Sequence, residues 1–345
     1  MKTYIGLDIS KEETAVCVIN EDQKIIKEMT VKTDPNAIFK AISALKLKNI
    51  ERVGMESGSW SHWLTRELRE KGLPTMCYDA RSVSRVLELN TNKTDQNDAR
   101  GIALGIRSGF FKECQIKTPE QLSLGGLIRL RKQIVEQKVQ LQNSVRGTLK
   151  PFGVNLRSVQ EKLFIEAVHE RLSILPDAIA AAVITVLQCL ASAMKCLEDL
   201  DNQLQKETRK HAAVLKLMTV DGVGPITALA FFAEVGDPRR FKNTKAIGAY
   251  LGLTPSQYSS GEKEVYGRIS KRGCSMLRGL LTQSAMVLLT RTKKWSKLKA
   301  WGMKLLQKRG TQKAFVAVGR KIAVTMLKML IDDTVFVRGE KKNAA

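Results

Sequence analysis

Five short runs of apolar and β-branched residues in the first 78 positions constrain the fold of this chain more than any other feature. Each run is bounded by polar or turn-forming residues and is therefore predicted to be a strand. The first three runs have only short polar connections, which predicts an antiparallel meander. Helical patterns at 34–45 and 60–71 separate the later runs, so a mixed sheet flanked by helices is expected. The predicted strands are residues 4–10, 14–19, 24–31, 52–55 and 75–78.

Acidic residues follow two of these strands. Asp8 stands at the end of the first run, and Glu56 comes directly after the fourth. Asp95 and Asp98 are three positions apart at a predicted helix start, so their carboxylates lie on one face. Acidic residues are also common at a helix start because they interact favourably with the positive end of the helix dipole. Considered without Asp8 and Glu56, this effect would be enough to explain Asp95 and Asp98. Four carboxylates at one end of a sheet, however, repel one another unless cations lie among them, and oxygen ligands suit Mg²⁺ or Mn²⁺. Two such ions about 4 Å apart would serve phosphoryl transfer.

The order βββαβαβ followed by helices is the ribonuclease H-like layout. Residues 6–10 also resemble the first phosphate loop of actin-like sugar kinases. A kinase of that kind needs further glycine-rich phosphate loops, and the sequence has neither a G-x-x-x-x-G-K-[ST] motif nor a convincing second loop. A small-molecule kinase would also leave the charge of the chain unexplained.

The charge is strongly positive and unevenly distributed. The chain has 57 Lys and Arg against 34 Asp and Glu, a net charge of +23. Residues 211–345 hold 25 of these basic residues and only 8 acidic ones. Charge runs are usually solvated helix faces, but this asymmetry favours a phosphate-binding surface, with nucleic acid ahead of an anionic membrane. The candidate basic residues are Lys271, Arg272, Lys293, Lys294, Lys308 and Arg309.

The middle of the chain is predicted to be helical. One long amphipathic helix spans 121–150, and Pro176 interrupts further helices between 158 and 210. Residues 178–194 carry no charge and approach the length of a membrane span. Apolar residues recur every seven positions from Val183 to Leu204, which favours a coiled coil, buried or self-associating, over a membrane helix.

The six cysteines are scattered without a C-x-x-C pair, which argues against a zinc ribbon and a disulfide scaffold. The first residues lack a signal-peptide pattern and are predicted to form a strand. A reducing, cytoplasmic location is expected.

Two glycine-containing segments stand out near the C-terminus. Residues 217–228 are typical of a helix-hairpin-helix element, in which Gly222 and Gly224 permit a tight turn and backbone N–H groups face a phosphate. Residues 252–261 are interpreted as a Gly/Pro loop, in which serines are usually turn residues. No histidine follows His211, so a Ser-His-Asp triad is not expected, and a reactive serine would need activation by a metal or by neighbouring cations.

The motifs together resemble the IS110 family of insertion-sequence transposases, recombinases with a DEDD RuvC-like domain. The resemblance rests on the Gly-x-Asp start, on Glu56 after a strand, and on the strings K-T-D-x-x-D-A-R at 93–100 and G-L-T-P-x-x-Y-x-S-G at 252–261. It runs in order from Asp8 to about residue 328. Where the family often has E-A-T-G-x-Y, this chain has E-S-G-S-W at 56–60, so this loop differs. The string S-K-R-G at 270–273 is closer to the IS1111 subgroup.

The resemblance implies a mechanism and a domain plan. It assigns metal binding to Asp8, Glu56, Asp95 and Asp98, and the nucleophile to Ser260, with Ser259 as the second candidate. It implies a bridge or seeker guide RNA, donor and target DNA, Mg²⁺, a phosphoserine intermediate, and a dimer that assembles to a tetramer with a site shared between subunits. The expected domains are a RuvC-like domain (1–150), a helical coiled-coil spacer (151–213) and a basic, mainly helical transposase domain (214–345).

Three alternatives remain at this point. The chain could be a RuvC-like nuclease or junction resolvase that uses water, in which case Ser260 is structural. It could be a site-specific DNA invertase of the same family. It could also be a nucleic-acid-binding protein without enzymatic activity, although the presence of all four acids speaks against that.

Overall fold

The computed structural model describes residues 2–89, 92–156, 160–260 and 263–339. The chain divides into two compact units, residues 1–118 and 119–345. The elements of the first unit are β1 (Thr3–Ile9), β2 (Glu13–Asn20), β3 (Ile25–Lys32), α1 (Pro35–Ala44), β4 (Ile50–Glu56), α2 (Ser61–Glu70), β5 (Thr75–Tyr78), α3 (Ala80–Leu87) and α4 (Asp95–Ser108).

The first unit is a five-stranded mixed sheet in the order β3-β2-β1-β4-β5. The pairs β1–β2 and β2–β3 are antiparallel, and β1–β4 and β4–β5 are parallel. The predicted ribonuclease H-like arrangement is therefore confirmed. Because successive strand residues point to opposite faces, the sheet has two apolar sides. One packs on α1 and α2 through Ile38 and Leu64, and the other packs on α4 through Ala99 and Ala103.

The second unit is mainly helical, as predicted. Its core packs Phe231, Leu277 and Ile322 from three different helices. Its helices are α5 (Pro119–Leu149), α6 (Phe164–His169), α7 (Asp177–Lys210), α8 (Ala212–Leu217), α9 (Pro225–Val235), α10 (Ala246–Tyr250), α11 (Ser275–Thr290), α12 (Lys297–Arg309) and α13 (Thr311–Asp332), and its strands are β6 (Pro255–Ser260) and β7 (Lys263–Ile269).

The heptad pattern of α7 lies against α5 of the same chain. Val183, Leu190 and Leu204 are buried, and Arg131 of α5 forms an ion pair with Asp201 of α7. Val145 and Leu149, near the end of α5, share a core cluster with Val183 and Leu187, near the start of α7, so the two helices run antiparallel, as in a coiled coil. By length and composition alone α7 could also span a membrane, a criterion that core helices of water-soluble proteins meet as well.

The compact units divide earlier than the expected boundary at residue 150. Helix α5 packs on α7 and α9, so it belongs to the second unit from its first residue. The division into 1–150, 151–213 and 214–345 remains a prediction about functional modules.

The segment interpreted as a Gly/Pro loop is instead an antiparallel hairpin. Strands β6 and β7 pair with each other, with Tyr258 opposite Val265 and Ser259 opposite Glu264. Its residues lack the alternation of apolar and polar side chains that identifies a half-buried strand, because the described residues of both strands are mostly exposed.

Candidate active site

Helix α4 lies directly on the sheet because two strand positions have no side chain. A Cβ atom on Gly6 would come within 2.1 Å of the carbonyl oxygen of Ala99, and one on Gly54 within 2.4 Å of Ile106. Gly6 and Gly54 therefore both face α4. Asp8 and Glu56 lie two residues further along the same strands, so the alternation of strand side chains turns them to the α4 face as well.

Asp8 and Glu56 are neighbours across two parallel strands. The last paired residues of β1 and β4 are Leu7 and Met55, and each acid follows immediately. Adjacent strands lie about 4.8 Å apart. The two acidic residues are thus side by side at the carboxyl edge of the sheet.

The first turn of α4 brings the other two acids to this edge. The Thr94 side chain caps the helix by accepting a hydrogen bond from the backbone N–H of Asn97 at 3.2 Å. Asp95 and Asp98 both lie in that turn, and Asp98 is only 7% exposed. The unpaired N–H groups of a helix start favour carboxylates at these positions.

The four carboxylates interact electrostatically. Burial, followed by the negative charges of Asp98, Asp95 and Glu56, raises the pKa of Asp8 from 3.8 to about 6. Burial and then the charge of Asp98 likewise raise the pKa of Glu56. The positive charge of Lys93 lowers the pKa values of both acids and so opposes both shifts. Lys93 begins the K-T-D-x-x-D-A-R string but was not among the candidate site residues predicted from the sequence.

The arginine of that string holds α4 in place. Arg100 donates from Nε and Nη2 to Oε1 of Glu28 on β3, at 3.2 and 3.0 Å. This pair and the tight contact at Gly6 fix where the helix start, and hence Asp95 and Asp98, lie over the sheet.

The donor set fits a hard divalent cation. It consists of carboxylate oxygens, which Mg²⁺ and Mn²⁺ prefer, and the charges of the other three acids add to burial in raising the pKa of Asp8. Within the described residues, no three His, Cys, Asp or Glu side chains are already close enough to share one ion. A cavity of about 370 Å³ adjoins the helix start and is lined by Glu13, Ala15, Thr30, Thr94, Asp95 and Gln96.

The candidate serines lie at the tip of the β6–β7 hairpin. The Ser259 hydroxyl accepts a hydrogen bond from Nε2 of Gln257 at 3.0 Å. Ser260 ends β6, opposite Lys263. The side chain of Ser260 and the whole of Gly261 lie outside the described residues.

The glycine hairpin connects α8 to α9, as predicted. Gly222 has φ of +89°, and a Cβ there would come within 2.4 Å of the carbonyl oxygen of Ser284. Glycine is therefore required there for close packing on α11, and its contact with nucleic acid stays a prediction. Gly224 is the N-cap residue of α9, and no atom of the described residues lies within 4 Å of the position that a Cβ would take. Gly224 remains the better candidate for a phosphate contact.

The six candidate basic residues are exposed at three places in the second unit. Lys271 and Arg272 follow β7, Lys293 and Lys294 separate α11 from α12, and Lys308 and Arg309 end α12. The described structure gives none of the six side chains an ion-pair partner.

Two family models match the chain over most of its length. A transposase model with the DEDD signature matches residues 5–153, and the model of the IS116/IS110/IS902 transposase family matches residues 215–300. A transposase for insertion sequence element IS1111A from Coxiella burnetii is 31% identical over 332 residues, which is 92% of this chain and 87% of that protein. The chain belongs to the IS110 family of transposases. It is therefore an enzyme that acts on DNA.

Other proteins with similar sequences are also named as transposases. A probable family 20 transposase from Pseudomonas aeruginosa is 28% identical over 97% of this chain and 98% of its own length. A transposase for element IS1328 from Yersinia enterocolitica is 27% identical over 82% of this chain and 85% of its own length. Among solved structures, Thermus thermophilus RuvC with a Holliday junction substrate matches 33% of this chain and all of that chain, at 15% identity and a TM-score of 0.26.

Proposed function

We propose that this transposase is an RNA-guided DNA recombinase of an insertion sequence, which cuts and exchanges DNA strands through a phosphoserine intermediate. One observation carries the proposal: Asp8 and Glu56 lie side by side at the carboxyl ends of two adjacent parallel strands, directly after their last paired residues, and Asp95 and Asp98 come to the same face from the first turn of α4. A ring of four mutually repelling carboxylates is costly unless it serves to bind cations.

Mg²⁺, with Mn²⁺ as a substitute, is the proposed cofactor. Asp8 and Glu56 would hold it from the strands, and Asp95 and Asp98 from the helix. Such ions, when bound, stabilise the negative charge that develops on phosphate oxygens. Lys93, the cation that already acts on Asp8 and Glu56, offsets part of the repulsion before an ion binds.

Ser260 is the proposed nucleophile, with Ser259 ranked second. Its Oγ attacks a DNA phosphorus, the Oγ–P bond forms, and the bond from phosphorus to the neighbouring deoxyribose oxygen breaks. The leaving oxygen takes up a proton, and the serine gives one up. In the second step a DNA hydroxyl attacks the phosphoserine and releases the serine, so the number of phosphodiester bonds is conserved without an external energy source.

The proposed partners are a guide RNA from the flanking non-coding DNA, donor DNA and target DNA. The support is the excess of 25 basic over 8 acidic residues in 211–345, because neutralised phosphates release counterions. The proposed assembly is a dimer that forms a tetramer in the cytoplasm, at the nucleoid. The uncharged face of α7, much of it exposed, supports self-association.

A co-purification with an adduct assay tests the proposal. The protein is expressed together with its flanking non-coding DNA, the bound RNA is sequenced, and the complex is incubated with Mg²⁺ and the element's junction DNA. We expect one specific RNA and an SDS-stable protein–DNA adduct, which Ser260→Ala abolishes and the neighbouring control Ser259→Ala keeps.

The other outcomes point to the alternatives. An adduct lost only in Ser259→Ala would transfer the role to that residue. Cleaved DNA without any adduct would identify a metal-dependent nuclease or junction resolvase that uses water. Neither RNA nor cleavage would reduce the chain to a nucleic-acid-binding protein. Asp95→Asn is expected to remove cleavage while RNA binding persists.

A further inference from the structure

A groove in the second unit combines an exposed tryptophan with lysines. It has a volume of about 420 Å³ and lies between α12, α13 and the segment that follows α13. Leu298, Met329 and Phe336 line it with apolar surface, and Trp301 is 43% exposed. None of the described residues that line it is acidic. The basic residues that line it are Lys297, Lys321, Lys328 and Arg338.

Helix geometry aligns these groups in two rows. Lys297 and Trp301 are four residues apart on α12, so they share a face. Lys321 and Lys328 are seven residues apart on α13 and also share one. The neighbour of Trp301, Gly302, is buried, and a Cβ there would come within 2.7 Å of Leu289. This close packing at Gly302 turns Trp301 away from the core and toward solvent.

The third wall of the groove is held in place by the glycine hairpin. Arg338 donates from Nε and Nη2 to the carboxylate of Asp221, at 3.0 and 2.8 Å. The backbone N–H of Phe336 donates to Oγ1 of Thr219, and that of Lys297 donates to the carbonyl of Arg338. Arg338 is therefore committed to Asp221, whereas the described residues supply no ion-pair partner for the ammonium groups of Lys297, Lys321 and Lys328.

We propose that this groove binds single-stranded DNA, with one unpaired base stacked on Trp301 and phosphates contacted by Lys297, Lys321 and Lys328. Exposed aromatic rings among cations are how proteins bind unpaired strands, because every base has a face to stack and every nucleotide carries a phosphate. DNA is the proposed occupant because a transposase acts on it. The proposal deepens the proposed function, since strand exchange exposes unpaired bases, but it requires no serine chemistry.

The test is equilibrium binding of a fluorescent ten-nucleotide oligo-dT by anisotropy, in EDTA so that nothing is cleaved. We expect Trp301→Ala to weaken binding about tenfold, as expected for one lost stack, and Trp301→Phe to restore most of it. Lys321→Gln with Lys328→Gln is expected to lower the slope of log K against log salt by about 1.4, as for two lost contacts to single strands. Lys313→Gln, on α13 but outside the groove, is the matched control. Circular dichroism establishes that each variant is folded.

The proposal fails if folded Trp301→Ala binds oligo-dT as the parent does, or if the double lysine variant and the Lys313→Gln control show equal slopes. The proposal also fails if another ligand, either oligo-U or a DNA duplex, binds more than tenfold tighter than oligo-dT and if Trp301→Ala weakens the binding of that ligand instead. If the adduct assay fails while Trp301 still governs oligo-dT binding, the serine mechanism is wrong and the groove assignment stands.

Discussion

A methyl group on Gly6 would lie 2.1 Å from the carbonyl oxygen of Ala99 and 2.5 Å from the backbone nitrogen of Ala103. The backbone of β1 and the backbone of α4 are thus in direct contact, with no side chain between them. Since α4 carries Asp95 and Asp98, its distance from β1 sets their distance from Asp8.

Gly6→Ala is expected to push α4 away from the sheet. Backbone atoms cannot yield as a side chain can, so we expect the loss of stability to be about 3 kcal/mol, at the upper end for overpacking. DNA cleavage should fall further than stability alone explains. Gly58→Ala, where no atom in the described part of the chain lies within 4 Å of the new carbon, is the control. Thermal unfolding and cleavage rates are the measurements, and similar behaviour of the two variants would contradict the contact.

Asp8→Asn is expected to stabilise the metal-free protein. The raised pKa of about 6 means that folded Asp8 binds a proton more tightly than unfolded Asp8, at 3.8. The free energy of unfolding therefore decreases as pH rises from about 4 to about 6 and stays lower above that. Removing the charge should increase the free energy of unfolding at pH 7 by about 1 kcal/mol, after allowance for solvent screening. Urea unfolding in EDTA measures this.

The exposed Asp22→Asn is the control for Asp8→Asn, because Asp22 lies in the β2–β3 turn away from the four acids. It should leave the pH profile unchanged. A profile equally steep in Asp8→Asn and the parent would show that Asp8 is not the group responsible.

Much of the first unit could be predicted because its signals are local. Strand length and polar boundaries identify β1 to β5, and the carboxylate at the end of each relevant strand follows from the order of the elements. The contact between Gly6 and Ala99 could not be predicted, because glycine in a strand also marks bulges and turns. Only the position of α4 in the structure shows that the strand glycine allows a close helix–sheet contact.

The second unit was harder to predict because its signals depend on distant partners. The heptads of α7 predict a partner helix without saying which, and α5 of the same chain occupies that side. The β6–β7 hairpin has mostly exposed strands, so it lacks the alternation that periodicity detects. The groove at Trp301 combines residues from 297 to 338, which no spacing rule relates.

Ile184→Asp is expected to weaken self-association. Ile184 is 37% exposed on the uncharged part of α7, so a charge there would be buried in any dimer that used this face. Sedimentation equilibrium should show the dimer dissociating at concentrations at least tenfold higher than for the parent. Ile174→Asp, at a 58% exposed position outside α7, is the control. An unchanged dimer in Ile184→Asp would assign self-association to another surface.

Arg338→Ala is expected to destabilise the second unit. The side chain of Asp221 is only 7% exposed, and without Arg338 its charge loses two hydrogen bonds in a place where water replaces them poorly. Asp221→Asn with Arg338→Ala should recover part of the loss. Limited proteolysis between residues 333 and 339 should be slow in the parent protein and fast in Arg338→Ala. Equal cutting rates would argue against the attachment of this segment through the Arg338–Asp221 ion pair.

The ion pair between Arg338 and Asp221 joins positions 117 residues apart, and this separation affects how the protein is made. Asp221 leaves the ribosome long before Arg338 is translated, so the glycine hairpin waits for its partner while α9 to α13 are still being synthesised. The first unit can fold during that interval, because its sheet and α4 are complete by residue 118. A premature stop codon shortly before 333 would leave the carboxylate unit intact and the second unit without its final attachment. Messages truncated in this region should therefore yield chains that retain the four acids but lack a complete groove.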